Sequence, residues 1–255
     1  MESKTPKQRI DVLLVERGLV ASRERARALI LAGRVLVQEQ KVDKAGASFA
    51  SDVAIRLLGD DMPYVSRGGL KLAGALEHWP IQVAGRSCLD VGASTGGFTD
   101  CLLQHGATHV TAVDTGFGQI AMKLRNDVSV RLFERTNARL LEPGALAAPG
   151  EHELTLLVMD VSFISATLLL GPVFAAAPAL REAVILIKPQ FEAGRGHVGK
   201  GGIVRDPAAH QAAIDKVVAC VTELGWQAVE IIPSPIEGAE GNREFLLYAR
   251  RNPAA

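Results

Sequence analysis

Cysteine is scarce in this sequence. Cys88, Cys101 and Cys220 are the only three, far apart and in apolar surroundings, which excludes a disulfide framework and a thiolate metal site. The six histidines form no H-E-x-x-H and no Cys/His ligand spacing, so no metal is expected. Long apolar runs are missing as well. The longest, Leu168 to Leu180, is interrupted by Gly171, Pro172 and Pro178 and falls short of the roughly 20 residues that span a bilayer, so it reads as core. Met1 to Arg9 holds no apolar h-region, which excludes an ordinary signal peptide and leads to the expectation of a cytoplasmic protein. Net charge is also absent, with 28 Lys/Arg against 28 Asp/Glu, but the balance is uneven along the chain. Residues 1 to 60 carry 11 basic and 8 acidic side chains, which makes this end the candidate contact for a polyanion.

With 48% hydrophobic residues, the chain has ample material for a core. Its length of 255 residues suits a small domain of 1–60, a linker of 61–69 and a larger domain of 70–255. The most informative stretch is Leu89-Asp90-Val91-Gly92-Ala93-Ser94-Thr95-Gly96-Gly97-Phe98-Thr99-Asp100, a strand that ends in a Gly-rich turn opening into a helix. Glycines there let backbone approach a ligand, and the helix start offers free N–H groups and a positive dipole end. The pattern D-x-G-x-S-T-G-G is not the G-x-G-x-x-G of dinucleotide enzymes. The next apolar run ends in Asp114, where a nucleoside-binding α/β unit places its ribose acceptor. Asp90, Gly92, Ser94, Thr95, Gly96, Gly97, Phe98 and Asp114 are therefore candidate cofactor contacts, and S-adenosylmethionine is favoured over NAD. Asn137, after the third strand, suits the adenine edge; a turn-forming asparagine is the alternative.

In the first sixty residues a short helix stops at Gly18, and Ser22 caps a second running to Gly33. Arg23, Arg27 and Arg34 fall at spacings that share a helix edge, a basic stripe open to RNA phosphates or simply to water. Val35 to Val37 and Val53 to Leu57 read as strands, with Asp43 to Ser51 as loop. Arg9-Ile10-Asp11, Ser22-Arg23, Ala26, Leu29-Ile30, Gly33 and Val35 resemble the small α+β RNA-binding domain shared by a small-subunit ribosomal protein and pseudouridine synthases. That resemblance implies phosphate contacts for Arg23, Arg27 and Arg34.

Beyond the linker, strands are expected at 87–91, 109–114, 128–133, 154–159, 183–188, 227–232 and 244–249, with helices between most of them. Only a loop separates the last two, so the seventh should insert antiparallel, as in a class I, Rossmann-like methyltransferase sheet. Asp90, Asp114, Asp160 and Lys188 all sit at the carboxyl ends of strands, where ligands bind in open α/β sheets. Lys188 closes an otherwise apolar strand; burial and a second nearby cation are the means by which a lysine becomes a usable base. Lys71 could be that second cation, or an ordinary solvated helix lysine.

Lys71, Asp160, Lys188 and Glu244 are similar in order and context to the Lys-Asp-Lys-Glu tetrad of FtsJ-type ribose 2′-O-methyltransferases. Together with Ser66-Arg67-Gly68-Gly69, Asp160-Val161-Ser162-Phe163 and Lys188-Pro189-Gln190-Phe191, they make the chain resemble the TlyA family over nearly its whole length. The resemblance implies 2′-O-methylation of cytidine in ribosomal RNA, naked or within a subunit, with Lys188 as base. Asp160 would orient Lys188 and touch the cofactor, Lys71 and Glu244 would position the hydroxyl, and Arg67 would contact RNA. No oligomer is required. Some family members methylate both subunits; this chain ends at Ala255 without the extension of those members, which points to the large subunit.

Signatures of competing chemistry are absent: no Asp/Asn-Pro-Pro-aromatic run for amino groups and no Pro-Cys pair for cytosine carbon 6. Gly194 to Gly201 fits G-x-x-x-x-G-K, but Gly201 stands where a Mg²⁺-ligating Ser/Thr belongs and Pro207 should start the helix. That loop, with Arg195, Lys200 and Arg205, reads as a lid over substrate or as a plain connection. Two rival functions remain: a membrane-lytic protein, as family members have been labelled haemolysins, against which the lack of a spanning segment and of a secretion signal argues; and a silent ribosome-assembly factor, which would need none of the four tetrad residues, all of which are present.

Overall fold

The computed structural model describes residues 7–20, 22–58, 62–147, 153–238 and 240–251, and the chain divides into two compact units, Met1–Pro63 and Tyr64–Ala255. In the first, the order is β1 (Lys7–Arg9), α1 (Ile10–Glu16), α2 (Arg23–Leu31), β2 (Val35–Val37), β3 (Gln40–Lys41), β4 (Ser48–Ala50) and β5 (Ile55–Leu57). Strands β3, β2 and β5 form an antiparallel sheet, and β1 pairs with β4. Strand β4 lies in the stretch expected to be loop: its pairing with the segment before α1 is non-local and carries no short-range signal.

Ser22 caps α2 by accepting the Arg25 N–H at 3.2 Å. Ile10, Leu14, Ala26, Ile30 and Val35 bury completely between the two helices and the sheet. Helix α2 ends before Arg34, whose Nε donates to the Leu58 carbonyl at 2.7 Å. The expected three-arginine helix edge therefore holds only Arg23 and Arg27.

The second unit runs α3 (Gly68–His78), β6 (Ser87–Val91), α4 (Gly97–Gln104), β7 (His109–Val113), α5 (Met122–Arg125), β8 (Val130–Phe133), β9 (Leu154–Met159), α6 (Thr167–Ala176), β10 (Glu182–Ile187), α7 (Pro189–Glu192), α8 (Pro207–Glu223), β11 (Trp226–Pro233) and β12 (Phe245–Arg251). These strands make one seven-stranded sheet in the order β11-β12-β10-β9-β6-β7-β8. Strand β12 is antiparallel to both neighbours, as its short connection from β11 demands, while β10, β9, β6, β7 and β8 are parallel. The central strands are buried on both faces, which is why they read as unbroken apolar runs. Leu157, Leu170, Val173, Ile185 and Leu247 pack on one face; Leu72, Leu102, Leu156, Val184 and Leu246 pack on the other. The proline-interrupted run at 168–180 is α6 and its exit, with Leu169, Leu170 and Val173 buried. No helix among the described residues is long and apolar enough to cross a membrane.

Candidate active site

The parallel strands end together along one edge of the sheet. The turn after β6 starts α4 there, and two adjoining cavities open beside it, sharing Gly92, Ser94, Asp160, Ser162 and Phe163. The smaller, about 310 Å³, is lined by Asp114, Thr136 and Asn137 opposite the apolar Val113, Val161, Ile164 and Leu169. Asp114 is fixed in place by two turn amides: Ser94 N–H donates to Oδ2 at 2.8 Å and Gly116 N–H to Oδ1 at 2.6 Å. Asn137 Oδ1 accepts the Arg139 N–H at 3.0 Å and so caps a 3-10 turn, and its side-chain NH₂ remains a donor for a ligand in the cavity it lines. A carboxylate, an amide and an apolar wall are the donor set a nucleoside requires: acceptor for ribose hydroxyls, donor for the base edge, flat apolar surface for the ring.

The larger cavity, about 740 Å³, gathers Ser66, Arg67 and Lys71 from α3 and its approach, Thr95, Gly97 and Phe98 from the turn and the start of α4, Lys188 just after β10, and Asn242 and Glu244 from the loop before β12. Two buried ion pairs face it. Lys71 Nζ meets Glu244 Oε2 at 2.5 Å, and Lys188 Nζ meets Asp160 Oδ1 at 2.5 Å while donating to Ser162 Oγ at 2.7 Å. Lys71, Lys188 and Glu244 are each less than a tenth exposed. Buried charges persist only when paired, so each lysine carries its own carboxylate to a place where a lone ammonium would be strongly disfavoured. The pairs line the same cavity although Lys71 and Glu244 are 173 residues apart in sequence.

The expected cofactor contacts divide. Gly92, Ser94, Asp114, Asn137 and Asp160 line the smaller cavity; Thr95, Gly97 and Phe98 line only the larger; Asp90 and Gly96 line neither. Gly92, at φ +86°, lets the chain after β9 pass so close that a Cβ would lie 2.4 Å from the Asp160 carbonyl oxygen. A Cβ on Gly97 would lie 2.4 Å from Ser66 Oγ and 2.9 Å from Gly69 N, so this glycine brings the start of α3, and with it Lys71, against the start of α4. Asp90 sits beneath the turn, wholly buried, and accepts the Thr99 hydroxyl at 2.6 Å. Burial pushes its carboxyl up to about 7 against the pull of that hydrogen bond.

Ser162 was not singled out from the sequence, although it takes the hydrogen bond of Lys188; its signal was the Asp-Val-Ser-Phe run at the end of a strand. Cys88 and Cys101 are buried, and burial pushes both thiols up to about 12, which leaves them unreactive at neutral pH. No cluster of His, Cys, Asp or Glu suited to a metal ion occurs among the described residues.

The model of the FtsJ-like methyltransferases matches residues 64–251. The chain belongs to this family. The S4 domain model matches residues 8–47. The chain is 45% identical over 243 residues, 95% of its length and 89% of the relative's, to the 16S/23S rRNA (cytidine-2′-O)-methyltransferase TlyA of Mycobacterium tuberculosis. It is 38% identical over 191 residues, 74% of this chain and 72% of the relative, to the 23S rRNA (cytidine-2′-O)-methyltransferase TlyA of Campylobacter jejuni. A solved structure of a hemolysin-designated protein of Streptococcus thermophilus superposes with a TM-score of 0.72 at 39% identity, covering 98% of this chain and 90% of that one. The cofactor of this FtsJ-like methyltransferase is S-adenosylmethionine, and the smaller cavity has the donor set to hold its nucleoside.

Proposed function

We propose that the chain transfers a methyl group from S-adenosylmethionine to the ribose 2′-hydroxyl of a cytidine in ribosomal RNA. The observation that carries this reading is the pair of lysine–carboxylate contacts lining one cavity beside the cavity whose side chains suit a nucleoside. When bound, the cofactor supplies an electrophilic methyl group on a sulfonium. Everything else falls to side chains. A ribose hydroxyl is a very weak acid, so its proton needs an acceptor as the methyl bond forms; Lys188 Nζ, placed by Asp160 and Ser162, takes that proton from its neutral amine form, having first released its own proton to solvent, and returns to the ammonium that pairs with Asp160. Lys71, held by Glu244, steadies the oxygen that becomes electron-rich. The fixed pairs cost no reorganisation during transfer, and positioning of this kind lowers a barrier without new covalent chemistry.

The S4 domain supports an RNA substrate, with Arg23, Arg27 and Arg34 as phosphate contacts and Arg67 joining from the cavity rim. The substrate common to the two named relatives is 23S rRNA, which supports the large subunit, and ribosomal RNA implies action in the cytoplasm. The test is transfer of labelled methyl to subunits lacking the modification, with nucleoside analysis. Label as 2′-O-methylcytidine in large-subunit RNA supports the reading; cofactor and RNA bound with no label transferred would make the protein a silent assembly factor.

A further inference from the structure

Lys188 and its two partners come from different segments. Lys188 leads into α7, whereas Asp160 and Ser162 sit in the loop between β9 and α6, and only the relative register of these segments sets the Lys188 contacts. One carboxylate ties them together. Glu192, the last residue of α7, is 6% exposed; its Oε1 accepts the Ala166 N–H at 2.7 Å and its Oε2 accepts the Ser165 hydroxyl at 2.5 Å. Ala166 is the residue before α6, so the negative charge sits at the start of that helix, where its dipole favours it. Lys216 of α8 reaches in with Nζ 3.0 Å from Glu192 Oε2, 3.2 Å from the Glu192 carbonyl oxygen and 3.1 Å from Ser165 Oγ.

The same pair ties the end of α7 to the middle of α8, the two helices joined by the loop whose Val198, Gly201 and Gly202 line the larger cavity. At the far end of that loop Asn242, 1% exposed, accepts the Val204 N–H at 3.0 Å and donates to the Gly202 carbonyl at 2.9 Å. The loop is therefore held at both ends, and a change at Glu192 reaches the loop and the Lys188 partners together.

We propose that Glu192 is a positioning residue for methyl transfer, acting through the register it imposes between the Lys188–Glu192 segment and the Asp160–Ser165 segment. The proposal rests on the function argued above. It gives Glu192 no contact with RNA or cofactor: Glu192 lines neither cavity, and its carboxylate is engaged by Ser165, Ala166 and Lys216. Glu192→Gln keeps an acceptor for the Ala166 amide but loses the charge that holds Lys216; Lys216→Met removes the same interaction from the other side and leaves Glu192 in place.

Single-turnover transfer at saturating cofactor and RNA, cofactor affinity by calorimetry, RNA affinity by filter binding, and hydrogen exchange of the 160–170 segment should be measured on the full chain for the wild type, both variants and the double variant. The expected result is a rate constant lowered about 10- to 100-fold, the scale of an ångström-sized misplacement. Cofactor and RNA affinities should stay within about threefold, the signature of an interaction that matters in the transition state alone. Exchange at the Ala166 amide should quicken in both variants, and the double variant should be no slower than Glu192→Gln, as members of one network are not additive. Wild-type rates in a folded Glu192→Gln protein, or a loss wholly explained by weaker cofactor binding, would overturn the proposal. A wild type that transfers no label to any ribosomal RNA would instead overturn the function, and the exchange measurement would still report whether Glu192 fixes the segment.

Discussion

Lys188 follows β10 with Nζ buried between Asp160 and Ser162, so truncating it removes the nitrogen that accepts the proton as a neutral amine and leaves Asp160 without its partner. Lys188→Ala should lower transfer by about 10²- to 10⁴-fold, the usual contribution of a positioned base. Cofactor affinity should persist, since Lys188 lies outside the nucleoside cavity; calorimetry showing cofactor binding abolished would contradict this division of the cleft. Asp90 gives a second prediction. An unfolded aspartate ionises near about 3.9, whereas burial raises Asp90 to about 7 in the folded chain. Between those values the folded state holds a proton that the unfolded state has released, so this residue's contribution to stability falls as pH rises through that window. Asp90→Asn removes the titration. Its stability relative to the wild type, measured by denaturant unfolding, should improve from pH 5 to pH 8; an unchanging difference would rule out Asp90 as a source of pH dependence.

Among the elements, α3 and α4 meet through glycine. A methyl group on Gly97 runs into Ser66, Gly68 and the backbone nitrogen of Gly69, so Gly97→Ala must push α3 outward and carry Lys71 away from its station. Overpacking of this kind typically costs about 1–3 kcal/mol. Activity should fall by more than the loss of folded protein explains, which thermal melts compared with specific activity will show. In the S4 unit, Asp11 of α1 is fully buried and holds Arg9 at 2.9 Å, Arg23 at 3.0 Å and Arg27 at 3.5 Å. The Arg9 guanidinium, helped by Arg23, keeps the Asp11 carboxyl well below the usual carboxylate range. A carboxylate depressed in the fold stabilises above its unfolded pKa, and that contribution is lost as pH falls through the acid range below about 4. Asp11→Asn should therefore destabilise this unit at pH 7, with the difference from the wild type shrinking in acid; a constant difference would assign the effect to packing.

For the molecule as a whole, the arginines on α2 and the lysine pairs of the sheet make separable contributions. Each lost phosphate contact reduces the salt dependence of RNA binding by about 0.7–0.9 in log–log slope. Arg23→Ala should weaken ribosomal RNA binding and flatten that slope while cofactor affinity holds; an unaltered slope would return Arg23 to a purely structural role beside Asp11. The strand sequence was legible because both-face burial writes itself as apolar runs, and the antiparallel seventh strand because its connection is short. Strand β4 was not, since its partner lies beyond local pattern. Arg34 misled because periodicity continues past a helix end that hydrogen bonding terminates. The chain itself determined the seven strands of the larger domain and the glycine turn, which depend on local propensity, whereas Lys71, Asp160, Lys188 and Glu244 were read together through their resemblance to a family motif. Tertiary structure alone decided that Asp90 and Gly96 line neither cavity, that Gly97 serves the meeting of two helices, and that Glu192 joins the two segments around Lys188. Those outcomes depend on distances between residues remote in sequence, which only packing sets.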